Sequence, residues 1–276
     1  MDDTRYLHRG DAPFGDEVWE EIDHTVVGAA KAQMSARKLL HTDGPLGFGT
    51  RSIPGPDRVV DTGGADDATT LSASCDLPVA HIRRRFTIGI RDIATFEKTG
   101  LPLDTDPAAE AAMECAHCED DLIFNGSDEV GVDGLLNADG IHGHEVGSWD
   151  EVGEAIEDII SGVTLLDDAG FHGPYTLALA PAAYNKLYRR YKAGAMTELD
   201  HVREIVTDGV VKAPAIDEGG VLLASGAQFA VIVLGQDLRA GFVGPADNVY
   251  EFTVSESVAL DLARPGAVCV LEPTSA

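Results

Sequence analysis

Residue types that could do chemistry are abundant in this chain, but few have a spacing that indicates a site, and the best-spaced set is Cys115-Ala116-His117-Cys118. Two cysteines separated by two residues can form a redox pair or supply two metal ligands. The segment also has helical periodicity, which places the cysteines on a stripe with Ala112 and Leu122. A buried cysteine behaves as a small apolar side chain. The pattern therefore favours core packing over metal binding.

Two further clusters are weaker. His142-Gly143-His144 could offer two ligands on one side of a strand, but its surroundings are glycine-rich and lack a carboxylate cluster, so we predict a solvated loop. The acidic run Glu119-Asp120-Asp121 is predicted to be a solvent-exposed helix face. The sequence contains no GxSxG elbow, phosphate-binding loop or GxGxxG fingerprint. We predict no catalytic residue, metal or cofactor, and a scaffold in place of an enzyme.

Charge is the strongest compositional signal. The 276 residues include 47 acidic and 20 basic ones, for a formal net charge of −27. An excess of this kind along a foldable chain is typical of proteins that work in concentrated salt, where the Debye length is about 3 Å at 1 M; an ordinary acidic protein is the alternative. Nucleic acid and anionic membranes would be repelled. With no long apolar stretch and no signal-peptide core, we expect a cytoplasmic protein.

The secondary-structure elements that would position a site have their clearest sequence patterns near the end of the chain. Alternation of apolar and polar residues, broken only by Glu256, predicts an unusually long strand over Val249–Ala263 with one exposed face. An apolar run over Val231–Leu234 predicts a strand that a turn at Gly235–Leu238 stops. After a turn at Arg264-Pro265-Gly266, we predict a last strand over Ala267–Leu271.

A period of 3.6 residues predicts helices earlier in the chain, over Asp16–Leu40, Pro107–Phe124, Trp149–Ala169 (capped by Ser148 and closed by Gly170) and Ala182–Tyr191. Shorter strands are predicted over Phe86–Ile90, Thr176–Leu179, Gly209–Val211, Val221–Ala224 and Phe229–Leu234. Between residue 47 and about residue 80, Gly, Pro, Asp and Thr replace the helical pattern. A segment of that length without structure is uncommon within one domain.

Seven segments in order resemble the encapsulins, the shell-forming proteins of prokaryotic nanocompartments. They are VWEEID from Val18, ARKLLHTDGPLG from Ala36, RRRFTIGIRD from Arg83, CEDDLIFNG from Cys118, GPYTLALAP from Gly173, VIVLGQDLRAGF from Val231 and YEFTVSESVALDLARPGAVCVL from Tyr250. The resemblance implies an α+β fold like that of the major capsid proteins of tailed bacteriophages, with a peripheral domain, an extended loop and an axial domain. It also implies a closed icosahedral shell of sixty or more copies. Such a shell encloses a cargo enzyme, such as a ferritin-like iron oxidase or a peroxidase, which is recognised by its C-terminal peptide.

The same resemblance implies a division of the chain. The parts are 1–46 (N-terminal helix and start of the peripheral domain), 47–85 (an extended loop, forming a two-stranded arm over a neighbouring subunit), 86–169 (peripheral domain with long helices), 170–248 (axial domain) and 249–276 (spine strand and last strand). The arm would account for the long segment without helical period.

Two sites follow from the resemblance. The cargo-peptide groove would use Ala30, Met34, Arg37, Leu39, Asp237 and Leu238, with Arg37 and Asp237 fixing the register of the peptide; ordinary core packing of Met34 and Leu39 is the alternative. The five-fold pore loop would use Tyr191, Lys192, Ala193, Gly194, Ala195, Met196, Thr197 and Glu198, where Lys192 and Glu198 set the local charge; a surface turn is the alternative. Some relatives stack a flavin on an aromatic ring where this chain has Arg91, so we predict no cofactor.

Two other classes of protein remain open from the sequence. A major capsid protein of a tailed virus or defective provirus would share the fold, but a shell that holds DNA should present basic residues inward, against the charge of this chain. A hydrolase or antibacterial factor is the weaker alternative, because the chain lacks a catalytic motif.

Overall fold

The computed structural model describes residues 3–55, 57–61, 70–191 and 196–274. The helices are α1 (Asp16–Gln33), α2 (Ala36–Leu39), α3 (Ile90–Thr99), α4 (Asp106–Asn125), α5 (Glu154–Asp168), α6 (Pro181–Lys186) and α7 (Glu198–Ile205). The strands are β1 (His41–Asp43), β2 (Ser52–Ile53), β3 (Asp57–Asp61), β4 (Thr70–Ser74), β5 (Leu77–Pro78), β6 (Ala80–Gly89), β7 (His142–Val146), β8 (Tyr175–Leu179), β9 (Gly209–Lys212), β10 (Gly220–Ala224), β11 (Val231–Ala246), β12 (Val249–Asp261) and β13 (Val268–Pro273). None of the described helices is long and apolar enough to cross a membrane.

The first sheet is built on the long antiparallel pair β11–β12, with strand order β1-β11-β12-β6. The predicted turn at Gly235–Leu238 is wrong, because β11 continues through it to Ala246. Register shifts on either side of Gln236 absorb the extra residues as bulges, and the Gln236 N–H donates to Ser257 Oγ at 2.8 Å. Pairing with β12 therefore carries the strand through a segment that looks like a turn in isolation.

The predicted exposed face of β12 is also wrong over its second half. Ser255, Ser257 and Ala259 are buried, although they lie on the side predicted to face water. Ile53 and Val233 pack on Ala259, and the Gln236 side chain donates to Ser255 O. Ser255 and Ser257 thus form hydrogen bonds inside the protein, and their polar character did not indicate exposure to solvent. The other face, with Phe252 at its centre, packs on α1 and α4.

The second sheet has strand order β7-β13-β10-β8-β9 and a core of its own with α5 and α7. The His142–His144 segment, predicted to be a loop, is strand β7, paired in parallel with β13. Helix α5 begins at Glu154 and not at Trp149, because Trp149 has a positive φ of 54° and its ring N–H donates to Asp158 at 2.7 Å. The fourth predicted helix is shorter than expected and ends at Lys186.

The segment after residue 47 forms two antiparallel strand pairs, β2 with β5 and β3 with β4. Among the described strands, β3 and β4 pair only with each other. The segment has the two-stranded form that the resemblance implied, and its outer pair joins no other strand in the part of the chain that the structure describes. We call residues 51–79 the arm.

The first predicted helix is divided in two. Helix α1 ends at Gln33, Met34 takes an extended conformation (φ −54°, ψ 116°), and α2 follows from Ala36. Helix α4 matches its prediction within a residue at each end. Helices α3 and α7 were not predicted. Arg91, the residue at the position where some relatives stack a flavin, lies in α3.

Candidate functional site

The break between α1 and α2 is held by a carboxylate of α4. Asp120 accepts hydrogen bonds from Ser35 N at 2.8 Å, Ser35 Oγ at 2.6 Å and Ala36 N at 2.9 Å. Burial raises the pKa of Asp120, although these hydrogen bonds act in the opposite direction. The exposed face predicted for Glu119–Asp121 is therefore wrong for two of its three residues, since Glu119 and Asp120 are buried.

Arg37, in α2, joins three carboxylates from three other elements. Its Nε and Nη2 donate to the two oxygens of Glu119 in α4, at 2.7 and 2.5 Å. Nη2 also donates to Glu256 of β12 at 2.7 Å, and Nη1 donates to Asp237 of β11 at 2.8 Å. The side chains of Glu119 and Glu256 are 0% exposed, whereas that of Asp237 is 52% exposed. We call these four residues the Arg37 cluster; it links the helix layer to the sheet and reaches the surface at Asp237.

The cluster sets three carboxyl groups against one guanidinium group, and two of the carboxyl groups, Glu119 and Glu256, are fully buried. Burial raises the pKa of Glu256 well above its ordinary value, and the neighbouring Glu119 carboxyl raises it further against the opposing effect of Arg37. Burial alone would lower the pKa of Arg37, but its contacts with Glu119, Asp237 and Glu256 outweigh burial and raise it. Glu256 Oε1 is buried without a hydrogen-bond partner among the described atoms. Burial and the facing Glu119 carboxyl both favour the protonated form of Glu256.

The structure brings two of the six predicted groove residues into contact, namely Arg37 and Asp237. The four apolar ones, Ala30, Met34, Leu39 and Leu238, are buried in the main core of the chain. Their proposed contact with a peptide stays a prediction. In the single chain they support the elements that carry Arg37 and Asp237.

A surface groove of about 500 Å³ adjoins Asp237. Its walls are the N-terminal turn with Leu7, the segment Pro45–Thr50, and β11 from Gly235 to Arg239. The Tyr6 and Phe48 rings stack at 5.1 Å between centroids, and Leu46 is 54% exposed. Sequence reasoning missed this lining, although two apolar residues placed between glycines in GPLGFG were the available signal. The groove offers apolar contacts along one side and the charges of Asp237 and Arg239 along the other.

The predicted pore loop is described only at its ends, because residues 192–195 lie outside the described residues. Tyr191 packs edge-on against His201, Met196 is 41% exposed, and Thr197 forms a capping box with Asp200 at the start of α7. Glu198 is buried and accepts from Gly153 N at 3.0 Å. Glu198 therefore points into its own chain, while Arg190, paired with Thr197 across the base of the loop, is exposed.

The two cysteines of the Cys115–Cys118 segment lie in different environments. Cys115 is buried, its Sγ lies 3.7 Å from Val254 O, and burial raises the pKa of its thiol to about 12. Cys118 is exposed. In the described part of the chain, no three His, Cys, Asp or Glu side chains come together as metal ligands.

Solved structures of capsid shells share this fold. The crystal structure of a virus-like particle from Pyrococcus furiosus matches with a TM-score of 0.74 and 22% identity, covering 93% of this chain and 100% of that one. The capsid of the Myoviridae phage XM1 matches with a TM-score of 0.61 and 14% identity, covering 86% of this chain and 90% of that one. The fold is therefore that of the tailed-phage capsid class, as the resemblance implied.

Sequence comparison narrows the class. A family model described as encapsulating protein for peroxidase matches residues 4–259. The type 1 encapsulin shell protein EncA of Myxococcus xanthus is 29% identical over 280 residues, covering 98% of each chain. Because the family model spans most of the sequence, the chain belongs to the encapsulin family.

Proposed function

We propose that the protein is the structural subunit of a closed icosahedral shell, built from sixty or more copies, that encloses a cargo enzyme. The observation that carries the proposal is the arm, whose outer strands β3 and β4 pair with each other and with no other described strand, in a fold of the capsid class. Unpaired strand edges and faces are completed by neighbouring copies in symmetric assemblies. The acid excess favours a protein-filled compartment over a capsid that holds DNA.

Particle formation should depend on salt. Sixty subunits of −27 each carry a formal charge of about −1600, and only ionic screening keeps such charges from resisting closure. We expect closed particles in electron micrographs at about 1 M salt and above, and free subunits at a few hundredths molar, where the Debye length exceeds ~10 Å. Circular dichroism at both salt concentrations separates disassembly from unfolding. Particles that persist unchanged in dilute buffer would contradict the adaptation to salt, and their absence at every salt concentration would contradict the shell.

We further propose that the groove beside Asp237 takes the C-terminal peptide of the cargo, a ferritin-like protein or a peroxidase. Apolar anchors of an extended peptide would contact Leu46 and Phe48, and the Arg37–Asp237 pair would fix its register. Met34 is a poor test residue, because a charge there would disrupt the core. Leu46 is exposed and can be changed without a packing cost.

The variant Leu46→Asp should therefore reduce cargo co-purification by about 10-fold or more, which corresponds to the loss of one buried anchor of about 1.5–3 kcal/mol. Leu101→Asp is the matched control, since Leu101 is 58% exposed and does not line the groove. Cargo per particle is measured by gel densitometry after particle purification. Equal loading of both variants in intact particles would exclude this groove.

A further inference from the structure

The outer face of β6 exposes unpaired cations in a chain that has few of them. Arg83 and Arg85 are exposed, whereas Ile82 and Phe86, on the alternate positions of the strand, are buried in the core. Arg239 of β11 is exposed as well. None of these three arginines has an ion pair with a residue that the structure describes. In a protein with 20 basic and 47 acidic residues, they form a local site for anions.

The three arginines lie on the same face of the first sheet. Ser255 of β12 pairs with Arg83 on one side and with Arg239 on the other, so these residues form one row across three strands. Neighbouring strands are about 4.8 Å apart, which separates the two arginine backbones by about 10 Å. Arg85 lies one row farther along β6, about 7 Å from Arg83. We call Arg83, Arg85 and Arg239 the arginine face.

The nearby acidic side chains do not neutralise the arginine face. Asp237 accepts a hydrogen bond from Arg37 Nη1 at 2.8 Å. Glu251 lies one row beyond Arg85, where it pairs with Thr87, and it forms no ion pair with a residue in the described part of the chain. The guanidinium groups of the arginine face are therefore available to carboxylates of another molecule.

The arginine face continues the groove that adjoins Asp237. Arg239 lines that groove, and so does Phe48, whose ring packs edge-on against His81 of β6 with 6.1 Å between the ring centroids. His81 shares a face of β6 with Arg83 and Arg85, because alternate residues of a strand point the same way. Along the strand, Arg83 lies about 7 Å from His81 and Arg85 about 14 Å from it. A peptide that leaves the apolar part of the groove at Phe48 therefore passes over the arginines.

The spacing of the arginines fits an extended acidic peptide. Side chains on one face of an extended chain repeat every second residue, at intervals of about 7 Å, which is also the interval between Arg83 and Arg85. Carboxylates two residues apart can thus each accept charge-assisted hydrogen bonds from one guanidinium group. A basic segment would be repelled at this place, and a neutral one would form no ion pair.

We propose that the arginine face is a second subsite of the groove, which binds side-chain carboxylates of the cargo peptide next to its apolar anchors. The inference rests on the proposed groove and adds the chemical class of its ligand. The peptide carries Asp or Glu at alternate positions beside the anchors that contact Leu46 and Phe48. Cargo with a basic segment at that place is disfavoured by the same contacts.

The test compares the affinities of three short peptides by fluorescence anisotropy. Each probe is a labelled, C-terminally amidated octapeptide in which two leucines precede two variable residues at alternate positions. The variable residues are Glu in the first probe, Gln in the second and Lys in the third. The full chain is used at the lowest salt concentration at which circular dichroism shows it folded, because screening weakens ionic contacts. The Glu probe should bind about 10-fold more tightly than the Gln probe, and the Lys probe should bind more weakly than both.

Three variants assign the effect to residues. R83Q/R85Q removes two exposed charges and should abolish the preference for the Glu probe without changing the affinity for the Gln probe. R91Q is the matched control, since Arg91 is exposed on α3 and does not line the groove, and it should keep the full preference. Leu46→Ser removes an anchor contact without adding charge and should weaken the binding of the Glu and Gln probes equally.

The outcomes separate the arginine face from the groove itself. Equal affinities for the Glu and Gln probes, both lowered by Leu46→Ser, would refute the arginine face as a subsite and leave the groove standing. Affinities that Leu46→Ser leaves unchanged would refute the groove, and the inference with it. No binding of any probe at about 1 mM also refutes the inference, whereas the loading of cargo by Leu46→Asp decides the groove independently.

Two other results would assign the arginine face to a different ligand. A Gln probe with a free C-terminal carboxylate that binds as tightly as the Glu probe assigns the face to the peptide terminus and refutes an acidic segment. A loss of particles in R83Q/R85Q, with unchanged affinities for all probes, assigns the face to a contact between subunits and refutes the subsite.

Discussion

Replacing Arg37 with Met should lower the free energy of unfolding by about 3–5 kcal/mol, the usual cost of leaving a buried charge without its partner. Arg37 holds Glu119 by two hydrogen bonds and contacts Glu256, and both carboxyls are fully buried. The Met side chain fills a similar volume but supplies no donor. Glu119 is then a fully buried carboxyl that has lost both of its hydrogen bonds to Arg37, which destabilises the folded chain.

Guanidinium unfolding followed by tryptophan fluorescence measures this loss, with salt and protein concentration held equal for all variants because assembly stabilises the subunit. R91M is the matched control; Arg91 is exposed, and its replacement should change stability by no more than about 0.5 kcal/mol. The double variant R37M/E119Q removes the stranded charge and should be more stable than R37M. A loss below about 1 kcal/mol for R37M would show that the cluster does not hold the layers together.

Only part of the Arg37 cluster could be predicted from the sequence. The resemblance assigned Arg37 and Asp237 to one groove, and the structure shows a hydrogen bond between them at 2.8 Å; their role in fixing the register of a peptide stays a prediction. The two buried partners were missed because their contacts with Arg37 span 82 and 219 residues, which no local pattern records. A signal existed for each. Glu256 interrupts the apolar series of β12, and Glu119 lies four residues after Cys115 on the stripe of α4 that faces the core.

Local patterns predicted elements well where burial and periodicity coincide, as in α4. They failed where a distant partner decides the conformation. The bulged course of β11 depends on the Ser257 hydroxyl, and the end of α1 depends on Asp120, 85 residues from Ser35. The arm had no signal of its own beyond composition and was predicted through the family resemblance alone.

Stability should fall as pH rises through the raised pKa of Glu256. The pKa of this carboxyl is higher in the folded protein than its ordinary value of 4.5, so the folded state binds a proton more tightly than the unfolded state does. The stabilisation from that proton is complete below the ordinary value and is lost as pH passes the folded value. Between the two values, one proton changes the free energy of unfolding by about 1.4 kcal/mol per pH unit.

The variant Glu256→Gln isolates this effect, because an amide imitates the protonated carboxyl at every pH. The groups that face Glu256 are Arg37 from α2, Glu119 from α4 and Asp237 from β11, and all are kept in the variant. Titrations elsewhere in the chain, including acid-side losses from exposed carboxyls such as Asp167, are common to both proteins and cancel in the difference. We expect nearly equal stabilities at pH 4 and a gap in favour of E256Q that widens toward pH 8, measured by urea unfolding in steps of half a pH unit. A constant gap over that range would mean that Glu256 is already ionised in the folded protein. In that case Glu256 would not hold the proton, and another carboxyl group of the Arg37 cluster would have to be the protonated one.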